Sequence, residues 1–254
     1  MSTNRWKLTF EFDGSDFYGW QAQPDVRTVE DEIEKAFSTL YQQPIDIVGQ
    51  GRTDAGVHAT GQVAHVDLPD KYDRRRLLHA MKGLLPRDVA LLNAEQTRDD
   101  FHARFDAVSR SYDYQIVTRP SPLNRNRAWY VYSAIDRAKL KECAKLVLGE
   151  HDFINFCIPP DEKEMTTICS ISESRWKVDQ HQMTYTITGS RFMRHMVRRL
   201  VGTMVRVSEE KLSINDFKHL LSAEKTQAKG HSAPACGLYL KKVSYKSPGK
   251  LDEQ

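Results

Sequence analysis

From Trp6 to Asp13 apolar residues fall on every second position, at Leu8, Phe10 and Phe12, and a period of two predicts a half-buried strand. The period then lengthens. Val29, Ile33, Ala36, Phe37 and Leu40 recur at helical spacing and predict a helix over 29–41 with Thr28 as its N-cap. Two β-type runs follow, Ile45 to Val48 and Val63 to Leu68. A second helix from Arg74 to Leu85, stopped by Pro86, and a strand from Val89 to Gln96 complete the order β-α-β-β-α-β, the ferredoxin-like split motif.

The same plan repeats with longer pieces. Arg110 to Thr118 and Trp129 to Tyr132 read as strands, and Arg137 to Leu148 as an amphipathic helix ending at Gly149. Ile171 to Val178 and Met183 to Thr188 form a hairpin pattern around Asp179-Gln180-His181. Helices are predicted over Arg191 to Arg206 and Asn215 to Ser222, with a last strand over Leu238 to Tyr245. The expected fold is α+β: two ferredoxin-like (RRM-like) halves, residues 1–105 and 106–254, forming an extended, mostly antiparallel sheet. Helices would cover one face, and the other would hold a central active-site cleft, as RNA-recognition sheets do. Pro120-Ser121-Pro122 and the stretch from Pro159 to Thr167 read as functional or mobile loops.

Composition narrows the class. With 254 residues, 40% hydrophobic and 28% charged, the chain has the balance of a soluble globular protein. No apolar run approaches the roughly 18 residues of a membrane span, and the N-terminal residues carry no signal-peptide core. Cys143, Cys157, Cys169 and Cys236 are scattered without a Cys-x-x-Cys, which fits reduced thiols in a cytoplasmic protein. The net charge of +3 is unevenly spread. Residues 1–105 hold 13 Lys and Arg against 17 Asp and Glu, and the remainder 24 against 17, a bias that can make a phosphate-binding face in the second half, with a solvated surface as the default reading of any single run. Arg74, Arg75, Arg76, Lys82, Arg110, Arg125 and Arg127 are further candidates for nucleic-acid backbone contact.

Two segments carry candidate chemistry. Gly49-Gln50-Gly51-Arg52-Thr53-Asp54-Ala55-Gly56-Val57-His58 lies between strand-like runs, and its glycines let the backbone turn sharply and approach a ligand. It presents one carboxylate, Asp54, beside one guanidinium, Arg52. Asp-Ala-Gly is also an ordinary turn, and the local pattern leaves both readings open. In the predicted helix 191–206, Arg191, Arg194, His195 and Arg198 share one face, continued by Gly202. An arginine face suits phosphate or carboxylate through bidentate bonding, while a solvated basic face is the plain alternative.

Together these segments resemble the TruA family of tRNA pseudouridine synthases. Gly51 to Ala59 is similar to the family's catalytic loop, and Asp13-Gly14-Ser15-Asp16-Phe17-Tyr18-Gly19-Trp20-Gln21 to its first loop. Phe101-His102-Ala103-Arg104-Phe105 with Arg110-Ser111-Tyr112-Asp113-Tyr114, then His151-Asp152-Phe153, Gly189 to Arg198, Ala233-Pro234 and Gly237 to Leu240 follow in the family's order. Several ordered motifs are far more specific than one. The resemblance implies an isomerase that detaches uracil from C1′ of a uridine and rejoins it through C5, at tRNA positions 38 to 40 in the anticodon arm. It implies a homodimer that binds tRNA and needs no nucleotide, metal or flavin cofactor. Asp54 is then the nucleophile or base, Arg198 its charge partner, and Tyr112 an active-site ring that stacks on the uracil and can pass protons. Arg52 helps hold the RNA with the base flipped out, and Leu238 forms an apolar wall. Arg191 and Arg194 are the remaining substrate-binding candidates.

Other chemistries fit less well. The sequence has no Gly-x-Gly-x-x-Gly, no P-loop and no His/Cys metal cluster; His58, His65 and Asp67 read better as structural strand residues than as ligands. A hydrolase acting on phosphate would want a carboxylate cluster where the loop offers one acid. A non-catalytic RNA-binding protein on the same fold would have no need of Asp54. The acids Asp161, Glu162 and Glu164 depart from what an RNA-facing loop would carry.

Overall fold

The computed structural model describes residues 3–159, 166–222, 226 and 229–246. The chain is a mixed α/β protein whose strands are mostly antiparallel, with five α-helices among the described residues. It divides into two compact units: the chain up to Val108 together with the residues from Leu240, and Ser109–Tyr239.

In the first unit β1 (Thr3–Phe12) is followed by α1 (Val29–Tyr41), β2 (Val48–Gly49), β3 (His58–Pro69), α2 (Arg74–Leu84) and β4 (Val89–Gln96). The strands lie in the order β4-β1-β3, with β2 also on β3. The alternation along β1 buries Trp6, Leu8, Phe10 and Phe12, while α1 buries Val29, Ile33, Ala36 and Phe37. Each large side chain buried this fully contributes about 1.5–3 kcal/mol. Opposite Phe10 and Phe12 of β1 stand Gln62 and Ala59 of β3, so β3 carries one extra residue there. Such a bulge bends the strand and re-aims what precedes it, here the glycine loop.

Two expectations for this unit change. The run Ile45 to Val48 is a strand only at its end, because α1 takes its backbone donors: Ile45 N–H bonds to Ser38 Oγ at 2.9 Å and Ile47 N–H to Glu34 Oε1 at 3.0 Å. Thr28 occupies the N-cap position but its hydroxyl caps nothing; Oγ1 is buried and has no hydrogen-bond partner.

The second unit holds β5 (Ala107–Val117, all but its first two residues), β6 (Trp129–Tyr130), α3 (Arg137–Leu146), β7 (Gly149–Asp152), β8 (Ile168–Val178), β9 (Gln182–Gly189), α4 (Met196–Ser208) and α5 (Ile214–Leu221). Its strand order is β5-β9-β8-β7, with β6 parallel to β5. Gly149, at φ +96°, opens strand β7 where the sequence predicts only a helix end. The last strand, β10 (Leu238–Tyr245), starts in this unit and continues into the first from Leu240, next to β3. A Cβ on Gly61 would lie 2.4 Å from Lys241 O, so the bare backbone of β3 admits it. A division at residue 105 instead assigns all of β10 to the second half.

The helix expected over Arg191 to Arg206 begins five residues late. His195 stands at φ +65°, in the left-handed region, and Met196 N–H closes a turn on Met193 O at 3.1 Å. A left-handed residue ends helical continuity, so Arg191, Arg194 and His195 precede α4 and form no common helical face with Arg198. Gly202 is not on an open face either, because its Cβ would meet His231 O at 2.1 Å. The acidic stretch at Asp161, Glu162 and Glu164 lies outside the described residues.

Candidate active site

Asp54 lies in a loop locked to a second loop, 13–21, by backbone hydrogen bonds on either side of it. Trp20 N–H donates to Thr53 O at 3.3 Å and Gly56 N–H to Phe17 O at 3.2 Å, while Val57 N–H closes a turn inside the loop on Asp54 O at 3.1 Å. Two glycines permit the approach. Gly19 has φ +95°, and a Cβ there would stand 2.5 Å from Thr53 O; a Cβ on Gly14 would stand 2.0 Å from Val57 O. Gly56 takes φ +76° in the turn after Asp54. Gln62 Nε2 donates to Gly51 O at 3.1 Å, and Gln50 N–H to Val63 O at 2.9 Å, tying the start of the loop to β3. Fixed hydrogen bonds on both sides of Asp54 hold the backbone that carries its carboxylate.

Arg52 is exposed, and its Nε donates to Gln21 Oε1 at 2.7 Å. An open depression beside the loop is lined by Ser15, Asp16, Phe17, Tyr18, Ala55 and Gly56, with Tyr18 61% exposed.

His58 and His65 are buried on β3 and serve the scaffold. His58 Nδ1 accepts from Gly14 N–H at 3.0 Å, and His65 Nδ1 from Ala103 N–H at 3.2 Å. Burial, with the neighbouring His102 ring and Arg5, lowers the His65 pKa to about 4, keeping it neutral near pH 7. Asp67 bonds Arg5 at 2.7 and 2.6 Å, which lowers its pKa. No group of three or more His, Cys, Asp or Glu suited to a metal occurs among the described residues.

The second unit positions the other candidates. Tyr112, half-buried on β5, meets the ring of Phe192 edge-on, with centroids 5.1 Å apart. Arg198, in the first turn of α4, donates from Nε to Ala233 O at 2.8 Å, and Ala233 N–H returns a bond to Arg198 O at 3.0 Å. The same segment carries Pro234, whose carbonyl accepts from Tyr114 OH at 2.7 Å, and Gly237, where a Cβ would strike the Tyr114 ring at 2.6 Å. Tyr114 is buried, and its pKa is raised by burial and by Cys236, with Arg198 opposing. Leu238 follows directly and is buried at the start of β10. Arg191 reaches Met193 Sδ at 3.3 Å, and Arg194 is exposed in the turn before α4.

The sequence pattern singles out no role for Trp20, Gln21 or Glu30, which the structure brings together. Glu30, only 7% exposed in the first turn of α1, accepts from Trp20 Nε1 at 2.9 Å, Gln21 Nε2 at 3.1 Å and Ala22 N–H at 2.9 Å. A carboxylate on the inward side of an amphipathic helix start was the available signal.

The chain matches the family model described as tRNA pseudouridine synthase over residues 8–106 and 143–246. It is 39% identical over 245 residues to tRNA pseudouridine synthase A of Bacillus subtilis, covering 95% of this chain and 99% of that one. It is 38% identical over 248 residues to the protein of that name from Porphyromonas gingivalis (96% and 98% covered), and 40% identical over 250 residues to that from Paramagnetospirillum magneticum (96% and 96%). Matches of this extent place the chain in the tRNA pseudouridine synthase family.

Proposed function

We propose that this chain converts uridine to pseudouridine in tRNA, at positions 38, 39 or 40 of the anticodon arm. The bond from C1′ to N1 breaks and one from C1′ to C5 forms; N1 gains a proton and C5 loses one, so nothing is oxidised, reduced or hydrolysed. Asp54 supplies the carboxylate that reacts, and Arg198 the guanidinium that favours its ionised form. Tyr112 stacks on the extracted uracil and relays the proton exchanged at C5, with Leu238 as the apolar wall. Arg52, Arg191 and Arg194 bind the RNA backbone, Arg52 holding the target base out of its stack.

In this reading the chain is two ferredoxin-like halves with a central cleft, works as a homodimer in the cytoplasm, and uses no nucleotide, metal or flavin. The observation that carries the proposal is the Asp54 loop, held by backbone bonds on both sides of its carboxylate residue, in a chain of this family. That hold would be superfluous in a protein that only binds RNA.

Because C5 loses its hydrogen, tRNA carrying tritium at C5 of uridine reports the reaction directly. Purified protein should release tritium to water from undermodified tRNA with a metal chelator present and nothing added. Binding without release, or release that the chelator abolishes, would refute the proposal.

A further inference from the structure

Arg52 is exposed, yet one side of its guanidinium is fixed. Its Nε–H points at Gln21 Oε1, 2.7 Å away, which sets the plane of the group without using the Nη hydrogens that grip a phosphate. The Gln21 amide is itself fixed. Its Nε2 donates to Glu30 Oε2 at 3.1 Å, and a carboxylate only accepts, so the amide cannot flip without setting two acceptors face to face. Glu30 in turn is held by Trp20 Nε1 and Ala22 N–H, both at 2.9 Å, from the loop that clamps Asp54. A buried acceptor with three donors does not relax easily, so orientation is passed outward from α1 to an exposed guanidinium.

We infer that Gln21 is a positioning residue for Arg52, with Glu30 as the anchor that fixes which way its amide faces. The inference rests on the proposed role of Arg52 in holding the flipped nucleotide. It adds that an exposed arginine is ordered before RNA arrives, so little side-chain freedom is lost when the phosphate binds.

The test is a double-mutant cycle in the full chain, with single-turnover tritium release, tRNA affinity and thermal unfolding as readouts. Gln21→Met keeps the side-chain length and removes both bonds. It should slow single turnover about tenfold, the size of one hydrogen bond to a charged group, and lower the melting temperature by only a few degrees, since Glu30 keeps Trp20 Nε1 and Ala22 N–H. Arg52→Met should be slower still, and adding Gln21→Met to it should cost nothing further. Full-speed turnover by Gln21→Met, or losses that multiply in the double variant, would overturn the inference. Failure of the unaltered protein to release tritium would instead strike the proposed function.

Discussion

The Asp54 loop and the start of α4 carry comparable candidate chemistry but are built in opposite ways. Asp54 is held by backbone: glycines at 14 and 19 bring one loop to within a Cβ's breadth of another. Arg198 is held from its side chain, by a bond from Nε to Ala233 O, on a helix whose neighbour segment carries the matching return bond. A backbone-built site fails as a unit when a glycine changes. A side-chain-built site loses only the group that is removed.

The largest effect on stability should come from Gly14→Ala. Its Cβ would fall 2.0 Å from Val57 O, which is backbone and cannot rotate away. Overpacking of this kind should lower stability by about 3 kcal/mol in urea unfolding and also reduce tritium release. Near-normal turnover in a destabilised variant would break the comparison, since the loop would then tolerate displacement. Arg198→Met should act differently, lowering turnover about a hundredfold while tRNA affinity and the urea midpoint change little. A loss of affinity with turnover preserved would recast Arg198 as a phosphate clamp. The smallest effect belongs to Thr28, whose buried Oγ1 has no partner. Thr28→Val should be neutral or raise stability by about 1 kcal/mol, because Glu30, not the N-cap, ties α1 to the loop. Destabilisation by Thr28→Val in the same titration would show that the hydroxyl has a role in the loop's support.

Periodicity read the scaffold well and the site's supports poorly. The bounds of α1, β4 and β10 are those the alternation predicts, because each element presents one apolar face to a core. The same apolar period carries the predicted helix 191–206 five residues ahead of its start at Met196. Phe192 and Met193 keep an apolar period through a turn that His195 breaks at φ +65°, and periodicity does not register backbone sign. The strand expected at 45–48 shrank because Ser38 and Glu34 of α1 compete for its N–H groups, a tertiary effect with no local signature. Asp54 was legible as a candidate because its glycines and its ordered companion motifs lie in the sequence itself. The Glu30–Gln21–Arg52 chain was not, since three residues spread over 31 positions meet only once the two loops fold together.

The most direct test of the central claim, that the loop exists to hold one reacting carboxylate, is single-turnover tritium release by Asp54→Asn measured beside its tRNA affinity. The amide keeps the shape and removes the charge. The account predicts no detectable release with tRNA affinity and unfolding midpoint as in the unaltered protein. Release at the unaltered rate would contradict it.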